Sequence, residues 1–303
     1  MGSKYSKTAF VIVLCVVVLL LSVSSGFSNT SKKHYYHHSH RKNLPAKTER
    51  ISGNLVLRSA SALVEDQQTG ECLVQKQAAA VLPIASITKL MTAMVVLDAN
   101  MELEESLTID GEDVDIIRHS HSRLPTGTNL TRREALLLAL MASDNRCAHA
   151  LGRIYPGGFS ACVTAMNAKA RSLGLSETHF EDTTGLYSGN VSSARDLVRL
   201  VDTAYQYNLI RELTTCKKAI INTGRRVLEF HNTNQLVRNS GWQIGLSKTG
   251  FIGEAGRCLV MQAHVAQRPV LIVLLDSQGK FTRIGDANRI KRWLEAKSLS
   301  TRT

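Results

Sequence analysis

The chain has 303 residues, 44% of them hydrophobic and 20% charged, with 20 glycines and five prolines. That composition supports a large buried core and excludes a collagen-like, low-complexity or wholly disordered polymer. Six cysteines are too few for a disulfide scaffold, and no CxxC pair announces a zinc site. The formal charge of +12 is concentrated at the amino terminus, where residues 1–50 carry eight Lys or Arg against the single acid Glu49, so little of it remains for a nucleic-acid surface.

Lys4 and Lys7 precede an apolar run from Ala9 to Leu21, followed by small and polar residues up to Ser28. This order predicts a secretory signal over residues 1–28, cleaved on export, with an uncleaved membrane anchor as the alternative. The run is short for a bilayer span, which needs about 20 residues. Residues 29–54 have no apolar period and read as a basic, His-rich linker. Its His34, His37, His38 and His40 fit a solvated cationic tail brushing an anionic wall polymer or membrane better than a metal site. Export leaves Cys72, Cys147, Cys162, Cys216 and Cys258, an odd number, with Cys147 and Cys162 as the nearest candidate pair.

Residues 55–303 are expected to form one domain. SALVEDQQTGECLVQK predicts two strands around a turn near Gln68–Gly70. PIASITKLMTAMVVLDAN predicts a helix from about Ser86 to Leu97, apolar on nearly every side and therefore central. Thr131 and Glu134 form a capping box ahead of a second apolar helix that stops at Ser143-Asp144-Asn145. Further helices are predicted at 145–154, 160–173 and 193–207, the last capped by Ser193. Beyond residue 224 the pattern turns to strands, RRVLEF, IGLSKTGF, RCLVMQAHV and PVLIVLLD, and closes with a helix over 283–296. Strands from both ends around a helical middle predict an α/β (α+β) fold: one antiparallel sheet with flanking helices, an all-helical lobe, and a cleft between them.

Three short motifs bear chemistry. Ser86-Ile87-Thr88-Lys89 puts a serine and a lysine one turn apart, where a lysine of lowered pKa can take the hydroxyl proton. Ser143-Asp144-Asn145 falls where one buried helix breaks before the next, although Ser143 or Asp144 serving only as a helix cap explains it as well. Lys248-Thr249-Gly250 lies on a predicted strand, where Gly250 lets a ligand backbone come close. Singly each is weak. SxxK recurs at Ser39–Lys42 and Ser277–Lys280, and SxN recurs at Ser52–Asn54 and Ser188–Asn190 in what read as glycine-bearing surface loops.

Together, in this order and with gaps of 57 and 105 residues, the motifs form the signature of penicillin-binding proteins and class A β-lactamases. The stretches PIASITKLMTAMVVLDA, RLPTGTNLTRREALLLALMASDN, THFEDTTGL and LSKTGFIGEAGRCLVM resemble the low-molecular-mass penicillin-binding proteins, which are serine D-alanyl-D-alanine peptidases, and most closely their endopeptidase branch. The resemblance implies a β-lactamase/transpeptidase-like fold without cofactor or metal, acting on peptidoglycan stem peptides and cross-bridges and captured by β-lactams. It implies Ser86 as nucleophile, Lys89 as its base, Ser143 and Lys248 as the proton relay to the leaving amine, and Asn145 as the group orienting Lys89 and the substrate amide. Lys248 and Thr249 would take the substrate carboxylate, and the backbone N–H groups of Ser86 and of Phe251, beside Gly250, would form the oxyanion hole.

The polar end LEAKSLSTRT shows neither the second domain nor the amphipathic carboxy-terminal helix of the larger carboxypeptidases, which sets the expectation toward endopeptidase, with carboxypeptidase as the alternative. A class A β-lactamase would need a deacylating glutamate, for which Glu177 and Glu181 are the nearest candidates. A non-catalytic wall-binding protein would need one of the central residues to be lost. His119 and His121 are expected on a loop at the cleft rim, within reach of substrate.

Overall fold

The computed structural model describes residues 55–300; the predicted export signal, the basic linker and Cys15 lie outside them. In chain order the strands are β1 (Ser59–Asp66), β2 (Cys72–Lys76), β3 (Leu82–Pro83), β4 (Ser106–Thr108), β5 (Asn129–Thr131), β6 (Val191–Ser192), β7 (Lys218–Asn222), β8 (Val227–His231), β9 (Gln243–Ile252), β10 (Gly256–Val265) and β11 (Arg268–Ser277). The helices are α1 (Thr88–Asp98), α2 (Arg132–Met141), α3 (Asn145–Arg153), α4 (Gly158–Ser172), α5 (Ala194–Tyr205), α6 (Asn208–Thr215) and α7 (Thr282–Ser300).

Both ends of the described chain build one antiparallel five-stranded sheet in the order β2-β1-β11-β10-β9. The period of two along β10 and β11 feeds two cores. Val260, Leu271, Val273 and Leu275 face the helices α1 to α6, whereas Leu259, Met261, Ile272 and Leu274 face Ala287, Ile290 and Leu294 of α7. Burial on both faces is why these strands read as near-continuous apolar runs. The amino-terminal strand is fastened to α7 by the buried Asp286 carboxylate, which accepts from the backbone N–H of Arg58 (3.0 Å) and Ser59 (2.7 Å) and from Ser59 Oγ (2.6 Å).

The helical lobe surrounds α1, which is buried on every side from Thr88 to Val96. The Thr131–Glu134 capping box at the start of α2 is present in both directions, at 3.1 and 2.8 Å, and Ser193 caps α5 by accepting from the Asp196 N–H at 3.2 Å.

Four expectations are corrected. RRVLEF forms β8, which pairs only with β7 in a separate hairpin. Its Leu228 and Phe230 point inward and its other residues outward, the alternation of a one-sided ribbon instead of a central strand. The α-helix begins at Thr88, because Ala85 has φ +48° and Ser86 lies in a short 3-10 turn, Ala85–Ile87. The 193–207 pattern breaks at Gln206 and restarts as α6, with Leu209, Ile210 and Leu213 at helical spacing. Cys147 and Cys162 are not bonded: all five described cysteines are free thiols. Both belong to the apolar core of the helical lobe, where burial pushes the Cys162 thiol up to about 12 and the Cys147 thiol well above its ordinary range, so both stay protonated and inert.

Candidate active site

The turn that presents Ser86 is held from several sides. Ile87 N–H donates to the Ile84 carbonyl (3.2 Å), Ile84 N–H donates to the Asn190 carbonyl (3.0 Å), and Thr88 Oγ1 donates to the Ala85 carbonyl (2.8 Å). Positive φ at a non-glycine residue costs energy and persists only where its surroundings enforce it. Here it places the serine at the head of α1, half-exposed, while Lys89 is 1% exposed beneath it.

Lys89 Nζ donates to three oxygens: Ser86 Oγ at 2.8 Å, Asn145 Oδ1 at 2.7 Å and the Thr184 carbonyl at 2.6 Å. Burial pushes its pKa down to about 8, against the opposing pull of Asp182 and Asp144. In the neutral amine the two carbonyl-type acceptors hold the two N–H bonds, and the lone pair is left facing the Ser86 hydroxyl. Thr184 belongs to a loop organised by the buried Asp182 carboxylate, which accepts from the Thr184 hydroxyl, from Gly185 N–H (2.8 Å) and from Asn190 Nδ2 (2.6 Å). The loop lies hard against the serine turn: a Cβ on Gly185 would sit 2.0 Å from the Ala85 carbonyl oxygen.

Between α2 and α3 the three residues of the second motif divide the work. Ser143 adopts φ +60° and Asp144 caps α3 by accepting from Cys147 N–H at 3.0 Å. The cap explanation therefore accounts for Asp144 and leaves Ser143 and Asn145 to the cleft. Ser143 Oγ accepts from Lys248 Nζ at 2.8 Å, and Asn145 Nδ2 donates to Ser120 Oγ at 2.8 Å.

Lys248 lies on β9, the edge strand, whose outer side is left open to the cleft. It is 1% exposed, and its pKa is pushed well down by burial, then by the charges of Lys89 and Arg283. Thr249 Oγ1 donates to Thr233 Oγ1 at 2.7 Å. A Cβ on Gly250 would lie 2.7 Å from the Ile84 carbonyl oxygen and 3.2 Å from the Ser86 nitrogen, so only glycine lets β9 pass this close to the serine turn. Phe251 is exposed, with the Arg257 guanidinium 4.4 Å from its ring centroid.

All five predicted catalytic residues and the Lys248–Phe251 segment thus converge on one cleft. Neither the SxxK copy nor the SxN copy within the described residues supplies a reacting group to it. Ser277 is buried at the end of β11 and bonded to Ser59 Oγ at 2.7 Å. Asn190 is fully buried under the serine turn and not on a surface loop, because its amide completes the Asp182 network. Glu181 is exposed and Glu177 half-buried, and the acids that act on Lys89 are aspartates.

Three contributors escaped sequence reasoning. Thr184 acts through its carbonyl, which carries no side-chain signal. Ser120 was hidden in the rim loop. Arg283 of α7 donates to the Gly250 and Cys258 carbonyls at 2.8 and 3.0 Å, and only the tertiary fold brings it to β9. Among the described residues no group of three or more His, Cys, Asp or Glu could hold a metal ion, and no helix is long and apolar enough to cross a membrane.

The family signature of the D-alanyl-D-alanine carboxypeptidases, peptidase S11, matches residues 47–279. The chain is 48% identical to a D-alanyl-D-alanine endopeptidase of Pseudomonas aeruginosa over 241 residues, which cover 79% of this chain and 78% of that relative. It is 44% identical over the same length and shares to a D-alanyl-D-alanine endopeptidase of Escherichia coli K12. The crystal structure of the Streptomyces K15 DD-transpeptidase superposes with a TM-score of 0.72 at 28% identity, covering 78% of this chain and 97% of that one.

Proposed function

The chain belongs to the S11 family of D-alanyl-D-alanine carboxypeptidases, and on that premise we propose that it is a periplasmic D-alanyl-D-alanine endopeptidase that opens the D-alanyl-diaminopimelyl cross-bridges of peptidoglycan. The observation that carries the reading is the pair of buried lysines, each on its own serine: Lys89 on Ser86 and Lys248 on Ser143. Two relatives of 48% and 44% identity bear the endopeptidase name, which favours cross-bridges over the carboxypeptidase alternative.

In this reading Ser86 Oγ attacks the D-alanyl carbonyl carbon while its proton passes to Lys89 Nζ. Asn145 and the Thr184 carbonyl keep the lysine lone pair on the serine. The oxyanion forms against the backbone N–H groups of Ser86 and Phe251, where one such donor is worth about 2.7–4 kcal/mol. As the C–N bond breaks, the proton that Lys89 took from Ser86 is relayed to the leaving nitrogen through the Ser143 hydroxyl, which Lys248 holds in place, so both lysines end as they began. Lys248 and Thr249 hold the carboxylate next to that nitrogen, and Arg283 fixes the Gly250 carbonyl behind them. Water then cleaves the acyl-serine ester. A β-lactam acylates Ser86 by the same route and persists, because among the described residues the carboxylates acting on Lys89 are those of Asp182, Asp144 and Asp115 and not of a deacylating glutamate.

Residues 1–28 serve export, 29–54 form the basic linker and 55–303 form the peptidase domain in this proposal. The test is a digest of dimeric cross-linked muropeptides and of monomeric pentapeptide at equal concentration. Faster loss of dimers supports endopeptidase; trimmed pentapeptide with intact dimers assigns the enzyme to carboxypeptidase instead.

A further inference from the structure

A cavity of about 130 Å³ opens beside Ser143, bordered by Asn145, His121, Arg123, Arg146 and Phe230. Its position gives it a side of the reaction. The leaving nitrogen must lie within hydrogen-bond reach of Ser143 Oγ to take its proton, so whatever is attached to that nitrogen continues past Ser143 toward this cavity. The acyl half has a different neighbour. Across Asn145 lies a second cavity of about 230 Å³, walled by Ile116, Ile117, Leu186 and Tyr187 next to the Thr184 carbonyl that holds Lys89.

The two cavities differ in character, the second being largely apolar and the first basic at its rim. Arg123 is exposed, with its guanidinium 5.1 Å from the Phe230 ring centroid and Nη1 donating to the Glu229 carbonyl at 2.6 Å. Among the described residues it forms no ion pair with a carboxylate; the Glu229 carboxylate is engaged by Lys218 and His231. Two acids also border the cavity, but both face local donors. Asp115 accepts from the N–H groups of Ile117, Arg118 and Ser120, and Asp144 accepts from Cys147 N–H and Ser122 Oγ. The aromatic platform and the carbonyl hold the guanidinium in place while leaving its charge uncancelled, the arrangement that favours planar, bidentate capture of a carboxylate.

We propose that Arg123 on its Phe230 platform is the specificity-determining residue for the leaving strand, binding a carboxylate of the stem peptide released past Ser143. The proposal rests on the endopeptidase reading and deepens it. A single released D-alanine ends at Lys248 and Thr249, whereas a released stem peptide extends farther and carries additional carboxylates. The contact is remote from the reacting atoms, so its loss falls on KM.

The experiment compares wild type, Arg123→Ala and Arg123→Lys for hydrolysis of dimeric muropeptides, and measures benzylpenicillin acylation to verify the catalytic centre. The expected result for Arg123→Ala is a fall of about tenfold in kcat/KM on dimers, carried by KM, with acylation within about twofold of wild type and partial recovery in Arg123→Lys. Wild-type dimer cleavage by Arg123→Ala overturns the subsite and leaves the endopeptidase reading standing. Equal losses on dimers and penicillin also overturn it, by showing a general structural role. A wild-type enzyme that trims pentapeptide and leaves dimers intact removes the endopeptidase reading, and the subsite with it.

Discussion

Replacing Gly185 by alanine perturbs the catalytic centre without touching a catalytic side chain. The new Cβ would stand 2.0 Å from the Ala85 carbonyl oxygen, 2.3 Å from its carbon and 2.9 Å from the Ser86 nitrogen, all backbone atoms that no rotamer change can move. Gly185 also has φ +81°, a region that costs a non-glycine residue about 1–2 kcal/mol. Restoring ordinary contact requires the 182–186 loop to withdraw by roughly 1 Å. That stretches the 2.6 Å bond from Lys89 to the Thr184 carbonyl beyond hydrogen-bond range, and a bond to a charged group contributes about 1.5–3 kcal/mol. The two effects sum to about 2.5–5 kcal/mol. For a domain of this size that lowers Tm by roughly 5–20 °C, and a misplacement of about 1 Å at the nucleophile slows acylation by about a hundredfold. Thermal melts and the rate of fluorescent-penicillin acylation read both quantities. A Gly185→Ala protein melting within about 2 °C of wild type and acylating within about threefold would refute the reasoning that the loop braces the serine turn.

Other outcomes follow from the same geometry. As the proposed base Lys89 must be neutral, and its lowered pKa of about 8 predicts an acylation rate that rises about tenfold per pH unit below 8 and levels above it; stopped-flow acylation from pH 6 to 9.5 measures this, and a rate that falls across that range would contradict it. Asp286→Ala strips a buried carboxylate from the Arg58 and Ser59 donors and from Arg289, and urea unfolding should show a loss of about 3–5 kcal/mol. Thr131→Ala removes the α2 cap and should cost about 1 kcal/mol while penicillin acylation proceeds at the wild-type rate.

The sequence carried the architecture where physics is local. The apolar runs of β10 and β11, the encircling hydrophobicity of α1, and the caps at Thr131 and Ser193 each announce their element before any contact is known. The serine–lysine pairs were legible through motif order and spacing, which together encode a shared cleft. What could not be read is what only closure of the chain creates. Ala85 carries no sign that it will take positive φ and start a 3-10 turn, since that strain is imposed by Asn190 and Gly185 from a hundred residues away. Asn190 looked like a surface residue because its burial depends on Asp182. Arg283 reaches β9 only after α7 has packed, and the Thr184 contribution resides in a peptide carbonyl that every residue possesses.

Intact-mass analysis after exposure to benzylpenicillin tests the central claim most directly. The proposed activation of Ser86 by Lys89 beneath it, with aspartates and not a glutamate as the acids acting on Lys89 among the described residues, predicts a single stable adduct on the wild-type protein. The adduct should vanish in Ser86→Ala and persist in Ser277→Ala, whose serine is buried against Ser59. An adduct that survives in Ser86→Ala would contradict the assignment of the nucleophile.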